Sequence, residues 1–221
     1  MKKNKKTFIS VIIITVVAVL FGYFLSRTSP KTLPKTSSVV SPVVSDSNNM
    51  DSMHNQPSVA VDNSGLNSLI GKSLPDIQLA DKDGNVITNE SLKGKNTVLF
   101  FNEGLMCYPA CWNQIAGFGS DPQFNTDETQ AISVVVDPSK DWQRAIDKMP
   151  ELAKSKTLFD AGASVSGKLG LLTLPSSMHR GSLPGHTYIL LDKEGIVRYV
   201  KDDPNMAMAN DVLISKISQL N

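Results

Sequence analysis

Net charge is nearly absent from this sequence: 22 Lys and Arg stand against 21 Asp and Glu, a formal balance of +1 over 221 residues. A surface built to hold nucleic acid carries a clear cationic excess, so nucleic-acid binding is excluded as the main business of the chain. Cysteine is scarce as well. Cys107 and Cys111 are the whole supply, so at most one intramolecular bridge can form. No segment repeats itself, which sets repeat architectures aside. An apolar fraction of 41% supports a packed core, but the apolar residues are unevenly spread.

What is present centres on residues 96–117, N-T-V-L-F-F-N-E-G-L-M-C-Y-P-A-C-W-N-Q-I-A-G. Residues 97–101 are a short, apolar, β-rich run and predict a buried strand. Asn102-Glu103-Gly104 is a loop signal. Trp112, Ile115 and Ala116 then recur at helical spacing, so a helix begins inside the Cys-x-x-x-Cys segment. Free N–H groups and the dipole at such a helix N-terminus stabilise a thiolate, the form in which sulfur is a good nucleophile.

Residues 1–6 form a basic N-terminus, M-K-K-N-K-K. Residues 8–25 are mostly Ile, Val, Leu and Phe, without a charge. At about 1.5 Å per residue that run nearly crosses a hydrocarbon core of roughly 30 Å. A cleaved signal peptide has a shorter apolar region followed by small residues, whereas this run ends F-G-Y-F-L-S-R. The expectation is therefore a retained transmembrane anchor at 7–26, with no cysteine after it to carry a lipid. Lys2, Lys3, Lys5 and Lys6 favour an inside N-terminus, although Arg27, Lys31 and Lys35 dilute the asymmetry. The chain is then a single-pass cell-membrane protein with an extracytoplasmic domain. Residues 27–68, rich in Ser, Pro, Thr, Asn and Val, read as a disordered linker. As a flexible coil of about forty residues it spans roughly 35 Å. Met50, Met53 and His54 within it are soft ligands of the kind that suits copper, but they read as ordinary linker composition.

The compact domain is expected at 69–221, ample for one core. Residues 76–80 and 85–88 predict a hairpin across Asp81-Lys82-Asp83-Gly84. Strands follow at 96–101, 131–136 and 157–159, with helices at 111–118, 141–149 and 163–169. A second hairpin, 187–191 and 196–200, turns across Asp192-Lys193-Glu194-Gly195, and a helix at 211–220 closes the chain. Strands alternating with helices, then a hairpin and a helix, define an α/β fold: a mixed central β-sheet flanked by helices.

Four stretches now carry a resemblance: V-L-F-F-N-E-G-L-M-C-Y-P-A-C-W at 98–112, A-I-S-V-V-V-D-P-S-K-D-W at 131–142, L-F-D-A-G-A-S-V-S-G-K-L-G at 158–170 and G-H-T-Y-I-L-L-D-K-E-G-I-V-R at 185–198. Together they resemble the thioredoxin fold, and more closely the redoxin group of alkyl hydroperoxide reductase and thiol-specific antioxidant proteins. The resemblance implies a thioredoxin-like fold over residues 69–220 and a thiol-dependent oxidoreductase, peroxiredoxin-like, that reduces peroxides or exchanges disulfides. It departs from the group in two places. The motif Pro-x-x-x-Thr-x-x-Cys is absent, since Gly104 stands three before Cys107 and Phe100 seven before it. Six residues before the strand-ending Asp192, where that group carries Arg, this chain has His186.

Residues four apart on a helix have Cβ atoms about 5–6 Å apart, and a disulfide wants about 3.5–4.5 Å. A modest distortion of the first turn closes that gap, and Pro109 suits a first turn because its missing N–H is not needed there. The bridge closes a very small loop, which makes it a reducible pair and not a staple. Cys107, at the helix mouth and expected to be the more exposed, is assigned the attack; Cys111, pointing inward, resolves. The resemblance brings His186 beside the cysteines, where it can hydrogen-bond the thiolate or tune it. Catalytic residues are thus Cys107, Cys111 and His186. Glu103, Trp112, Met206, Met208, His179 and Arg180 read as a solvated loop charge, packing residues and loop residues. No cofactor is expected in this reading, and the partners are an external thiol reductant of the thioredoxin type and a peroxide or protein disulfide. An alternative keeps the same three residues as a copper site. Two thiolates and an imidazole suit Cu(I), and the arrangement is similar to the copper chaperones of cytochrome oxidase assembly. A third is a redoxin module that binds a partner without turnover.

Overall fold

The structure is a computed structural model and describes residues 63–220. The transmembrane anchor expected at 7–26, the basic segment before it and Met50, Met53 and His54 of the linker lie outside the described residues. Among the described residues no helix is long and apolar enough to cross a membrane. The elements in chain order are α1 (Ser64–Asn67), β1 (Leu79–Ala80), β2 (Val86–Ile87), β3 (Asn96–Asn102), α2 (Ala110–Ser120), β4 (Thr129–Val135), α3 (Ser139–Lys148), β5 (Lys156–Phe159), α4 (Ser164–Lys168), β6 (Thr187–Leu191), β7 (Val197–Asp202) and α5 (Asn210–Ser218).

The strands form one sheet in the order β2-β1-β5-β4-β3-β6-β7. β3, β4 and β5 run parallel, which requires crossovers, and α2 and α3 supply them. β6 joins β3 antiparallel, β7 joins β6, and the short β1–β2 hairpin caps the other edge against β5. This is the mixed, thioredoxin-like sheet that the resemblance implies.

β3 is the axis of the sheet. Val98, Leu99, Phe100 and Phe101 are all 0% exposed, and each such burial contributes about 1.5–3 kcal/mol. Successive side chains of a strand point to opposite faces. Val98 and Phe100 therefore pack with Trp112, Ile115 and Phe118 of α2, Trp142 of α3 and Leu213 of α5. Leu99 and Phe101 pack on the other face with Leu66 of α1 and Val165 of α4. The same alternation on β6 sends Tyr188 and Leu190 to the α2 face and Ile189 and Leu191 to the other. His186 shares the parity of Tyr188, which puts it on the α2 face.

Element boundaries differ from the expected ones where tertiary contacts decide. The strand expected at 76–80 shrinks to Leu79–Ala80, because the Ile77 N–H donates to Asn89 Oδ1 at 2.9 Å instead of to a neighbouring strand. β7 runs on to Asp202, which pairs with Thr187. β4 starts at Thr129, opposite Asn96. The first element is α1, ahead of residue 69, because Leu66 inserts into the core. Both hairpin turns form as read. Asp81 Oδ1 accepts the N–H groups of Asp83 and Asn85, each at 2.9 Å, and Asp192 Oδ1 accepts those of Glu194 and Ile196 at 3.0 and 2.8 Å. Gly84 and Gly195 supply the left-handed backbone each turn needs, at φ +85° and +82°.

Candidate active site

The carboxyl end of β3 is closed by side chains. Asn102 Nδ2 donates to Phe100 O at 3.1 Å and to Val134 O at 3.4 Å, while its Oδ1 accepts the Gly104 N–H at 2.9 Å. Gly104 sits at φ +60°, and the Trp112 indole N–H donates to its carbonyl at 3.0 Å. A Cβ at this residue would overlap Asp137 Oδ2, which accepts the Leu105 N–H at 2.9 Å. Burial holds the Asp137 carboxyl above the ordinary value, against the lowering effect of that N–H. The slot for a side chain at 104 is thus already filled by Asp137, so a Thr has no room where the peroxiredoxin motif places one.

A direct expectation follows for Gly104→Ala. The left-handed backbone penalises any Cβ, and the Asp137–Leu105 hydrogen bond has to open. Urea unfolding should show a loss of about 2–3 kcal/mol. A loss below about 0.5 kcal/mol, the size of an ordinary surface change, contradicts this reading of the turn.

A short 3-10 turn, Gly104–Met106, leads to Cys107, and α2 begins at Ala110. The Cys111 N–H donates to the Cys107 carbonyl at 3.0 Å, so the two thiol residues are joined by one turn of backbone. The Tyr108–Pro109 peptide is cis. Cys107 and Cys111 form a disulfide with Cα atoms 5.4 Å apart. Cys107 is 3% exposed and Cys111 0%, so Cys107 is the more exposed of the two only marginally and both are buried in the closed bridge. The closed bridge seats both residues in the core layer with Phe100 and Trp112. What is open is the surround: Met106 and Tyr108, which flank Cys107 in the chain, are 58% and 65% exposed. A cleft of about 480 Å³ runs beside Tyr108 and Trp112, with Arg144 and Lys148 at its wall.

His186 precedes β6 and is 1% exposed. Its Nδ1 lies 3.5 Å from Cys111 Sγ, and its Nε2 lies 2.7 Å from the Tyr188 hydroxyl. The ring meets Phe100 edge-on at 4.6 Å, and Phe100 stacks on Tyr188 at 4.8 Å. The ligand atoms of Cys107, Cys111 and His186 all lie within 4.8 Å of one another, with all three residues buried. Burial holds the His186 imidazole well below its ordinary value of 6.5, at about 4. Asp203 and the Ala207 carbonyl favour the proton, and Lys201 opposes it. Burial also pushes the Tyr188 phenol well above its ordinary value.

A lowered imidazole pKa has a definite sign for stability. Between about pH 6.5 and pH 4 the unfolded chain binds a proton that the folded chain refuses. Stability is unaffected by this group above that window and falls as the pH drops through it, by roughly 3 kcal/mol in all. Unfolding curves at about pH 7 and about pH 4.5, for the parent and for His186→Gln, measure the effect. The variant should lose that share of the acid sensitivity, and identical pH dependence in both proteins would refute it.

Glu103, which the sequence left as a loop feature, takes another place, while Arg180 stays at the surface as expected. Glu103 is 1% exposed, not a solvated loop charge. Its Oε1 accepts the N–H groups of Met178 and His179 at 2.8 and 3.1 Å, and its Oε2 lies 2.9 Å from His179 Nδ1. Arg180 does not reach the cysteines, and its guanidinium donates to the Pro175 carbonyl at 3.2 Å on the surface. Met206 packs on the core, whereas Met208 is 54% exposed. The sequence reading missed Gln114 and Tyr188. Their signals were spacing: Gln114 lies three after Cys111 on one helix, and Tyr188, on β6, lies two after His186 just ahead of that strand.

A mixed sheet with a bridged cysteine pair where its central strand hands over to a helix defines a thioredoxin-fold redoxin. Residues 70–200 match the model of the AhpC/TSA family, and the chain belongs to that family. Among curated proteins it is similar to the chloroplastic peroxiredoxin Q of Triticum aestivum, 30% identical over 136 residues, which are 59% of this chain and 57% of that protein. The putative chloroplastic peroxiredoxin Q of Oryza sativa subsp. indica is 28% identical over 139 residues, with the same two shares. The chain thus spans little more than half the length of these relatives. Among solved structures, a peroxiredoxin-like protein from Aquifex aeolicus superposes with a TM-score of 0.57 at 19% identity, covering 69% of this chain and 87% of its own. A putative protein disulfide isomerase from Bacteroides thetaiotaomicron gives 0.51 at 20%, covering 68% and 89%. At these identities the structural likeness speaks for the fold alone.

Proposed function

We propose that the chain is a membrane-anchored thiol oxidoreductase whose Cys107–Cys111 pair cycles between dithiol and disulfide. The observation that carries this reading is the bridge itself, at the β3–α2 junction with the His186 ring against it. Cys107 attacks as the thiolate. With a disulfide substrate R–S–S–R′ it releases R′S⁻ and holds R as a mixed disulfide; Cys111 then displaces RS⁻. The substrate gains two electrons and leaves as two thiols, and the pair closes. With a peroxide ROOH, Cys107 takes one oxygen to become the sulfenic acid and releases ROH, and Cys111 displaces that oxygen as water. An external thiol reductant of the thioredoxin type reopens the bridge. The missing Thr slot favours disulfide exchange over peroxide reduction, because no hydroxyl stands at 104 to hold a peroxide oxygen. The anchor at 7–26 places the domain outside the cytoplasmic membrane in this reading.

A redox titration of the pair in the full-length chain tests the proposal. A midpoint above about −300 mV marks a bridge that cellular thiols can open, and one well below it marks a structural staple. A second reading is favoured by one observation, the convergence of two sulfurs and one imidazole nitrogen within 4.8 Å. Once the pair is reduced, Cys107, Cys111 and His186 would hold Cu(I), and the protein would deliver copper. Stoichiometric copper on the reduced chain, lost in His186→Ala, distinguishes that role.

A further inference from the structure

We infer that Gln114 and Tyr188 are positioning residues, forming a one-way hydrogen-bond chain that fixes the proton of His186 on Nε2 and turns a bare Nδ1 toward Cys111. The inference rests on reading Cys111 as the resolving thiol, and it concerns what prepares that residue.

The direction of the chain is set at its far end by a group that can only donate. The Ala209 backbone N–H lies 2.8 Å from Gln114 Oε1, so that atom is the amide oxygen and accepts. The other half of the amide agrees. Gln114 Nε2 donates to Asn210 Oδ1 at 2.8 Å, and Asn210 Nδ2 donates onward to Asp121 Oδ2 at 3.1 Å and to the Gly117 carbonyl at 3.4 Å, two groups that can only accept. Both amides are thereby oriented. The Tyr188 hydroxyl has one proton, and it faces Gln114 Oε1 at 3.0 Å. Having given that proton, it can only accept from His186 Nε2 at 2.7 Å. A neutral imidazole has one N–H, so Nδ1 is left with its lone pair, 3.5 Å from Cys111 Sγ. When the bridge is open the Cys111 S–H donates to that lone pair, which holds its sulfur in place for return to Cys107. Gln114, Tyr188 and His186 are all buried, so no water competes for these bonds.

The test is direct observation of the tautomer. The full-length chain, labelled with ¹⁵N on its three histidine rings, is read in the reduced state by long-range proton–nitrogen correlation, with His186→Gln assigning the signal. The expected pattern is a protonated Nε2 and a bare Nδ1. Tyr188→Phe removes the acceptor, and a proton on Nδ1 should then appear in a share of the molecules. Kinetically, closure of a preformed mixed disulfide on Cys107 should slow by about tenfold in Tyr188→Phe, the size of one lost buried hydrogen bond. Formation of that mixed disulfide should change far less, and this split is what a merely structural role does not produce. Gln114→Glu keeps the accepting oxygen and should keep the parent tautomer. A proton on Nδ1 in the parent protein overturns the inference, and so does an unchanged closure rate in Tyr188→Phe. If instead the tautomer is as expected but the bridge never opens under cellular thiols, the redox reading fails and the relay stands.

Discussion

Cys107→Ser should abolish thiol-dependent turnover, by at least about 10³-fold, while Cys111→Ser should stop the cycle halfway with the partner still attached. The asymmetry follows from what surrounds each sulfur. Cys107 lies between Met106 and Tyr108, both largely exposed, so a reagent arrives on its side of the bridge. Cys111 is wholly buried in the first turn of α2 and faces the His186 ring. A serine at 107 offers a hydroxyl that stays protonated near neutrality and does not attack a disulfide. A serine at 111 leaves the attack intact and removes only the displacement that frees the product. Mass spectrometry after exposure to a small disulfide separates the two variants. Cys111→Ser should carry one added thiol on Cys107, and Cys107→Ser none. Adduct on Cys111 in the Cys107→Ser protein, with turnover retained, would reverse the assignment.

Local chemistry explains why much of the fold was legible. The two Asp-x-x-Gly turns were readable because an Asp side chain and a left-handed Gly are the whole mechanism of the turn. β6 was readable from Thr187 to Leu191 because its five residues are β-prone and bounded by Gly185-His186 and Asp192. The strand–thiol–helix junction followed from a change of hydrophobic period between Phe101 and Trp112. What stayed hidden depends on partners far away in the chain. Gln114 sits on the face of Ile115 and Phe118, and nothing near it in sequence shows that Tyr188 and Ala209 will meet it. Glu103 sits in an Asn-Glu-Gly loop, the usual setting of a solvated charge. Its burial is decided by amides some 75 residues later. His186 is intermediate. Its parity with Tyr188 was in the sequence, but its 3.5 Å approach to Cys111 depends on β6 pairing with β3, which puts Thr187 opposite Phe101.

The hidden carboxylate yields the largest stability effect. Glu103→Ala leaves the N–H groups of Met178 and His179 without their acceptor and the His179 ring without its partner. Hydrogen bonds to a carboxylate contribute about 1.5–3 kcal/mol each, and Glu103 accepts from two backbone N–H groups, so a loss of about 3 kcal/mol is expected in urea unfolding. Glu103→Gln is the informative control. Its amide oxygen can still accept both N–H groups, and its NH₂ can donate to His179 Nδ1 in the other tautomer, so about 1 kcal/mol or less should be lost. The latch also serves the site, because the segment it holds runs on through Ser182 and Gly185 into His186. Gly185 leaves no freedom there: a Cβ on it would collide with the backbone between Ser176 and Ser177. Freed from Glu103, the Met178 and His179 amides should exchange hydrogen much faster than in the parent, while amides of β3 are slowed or sped only with global stability. Equal losses for Ala and Gln would mean that charge, and not hydrogen-bond acceptance, holds this segment against the end of β3.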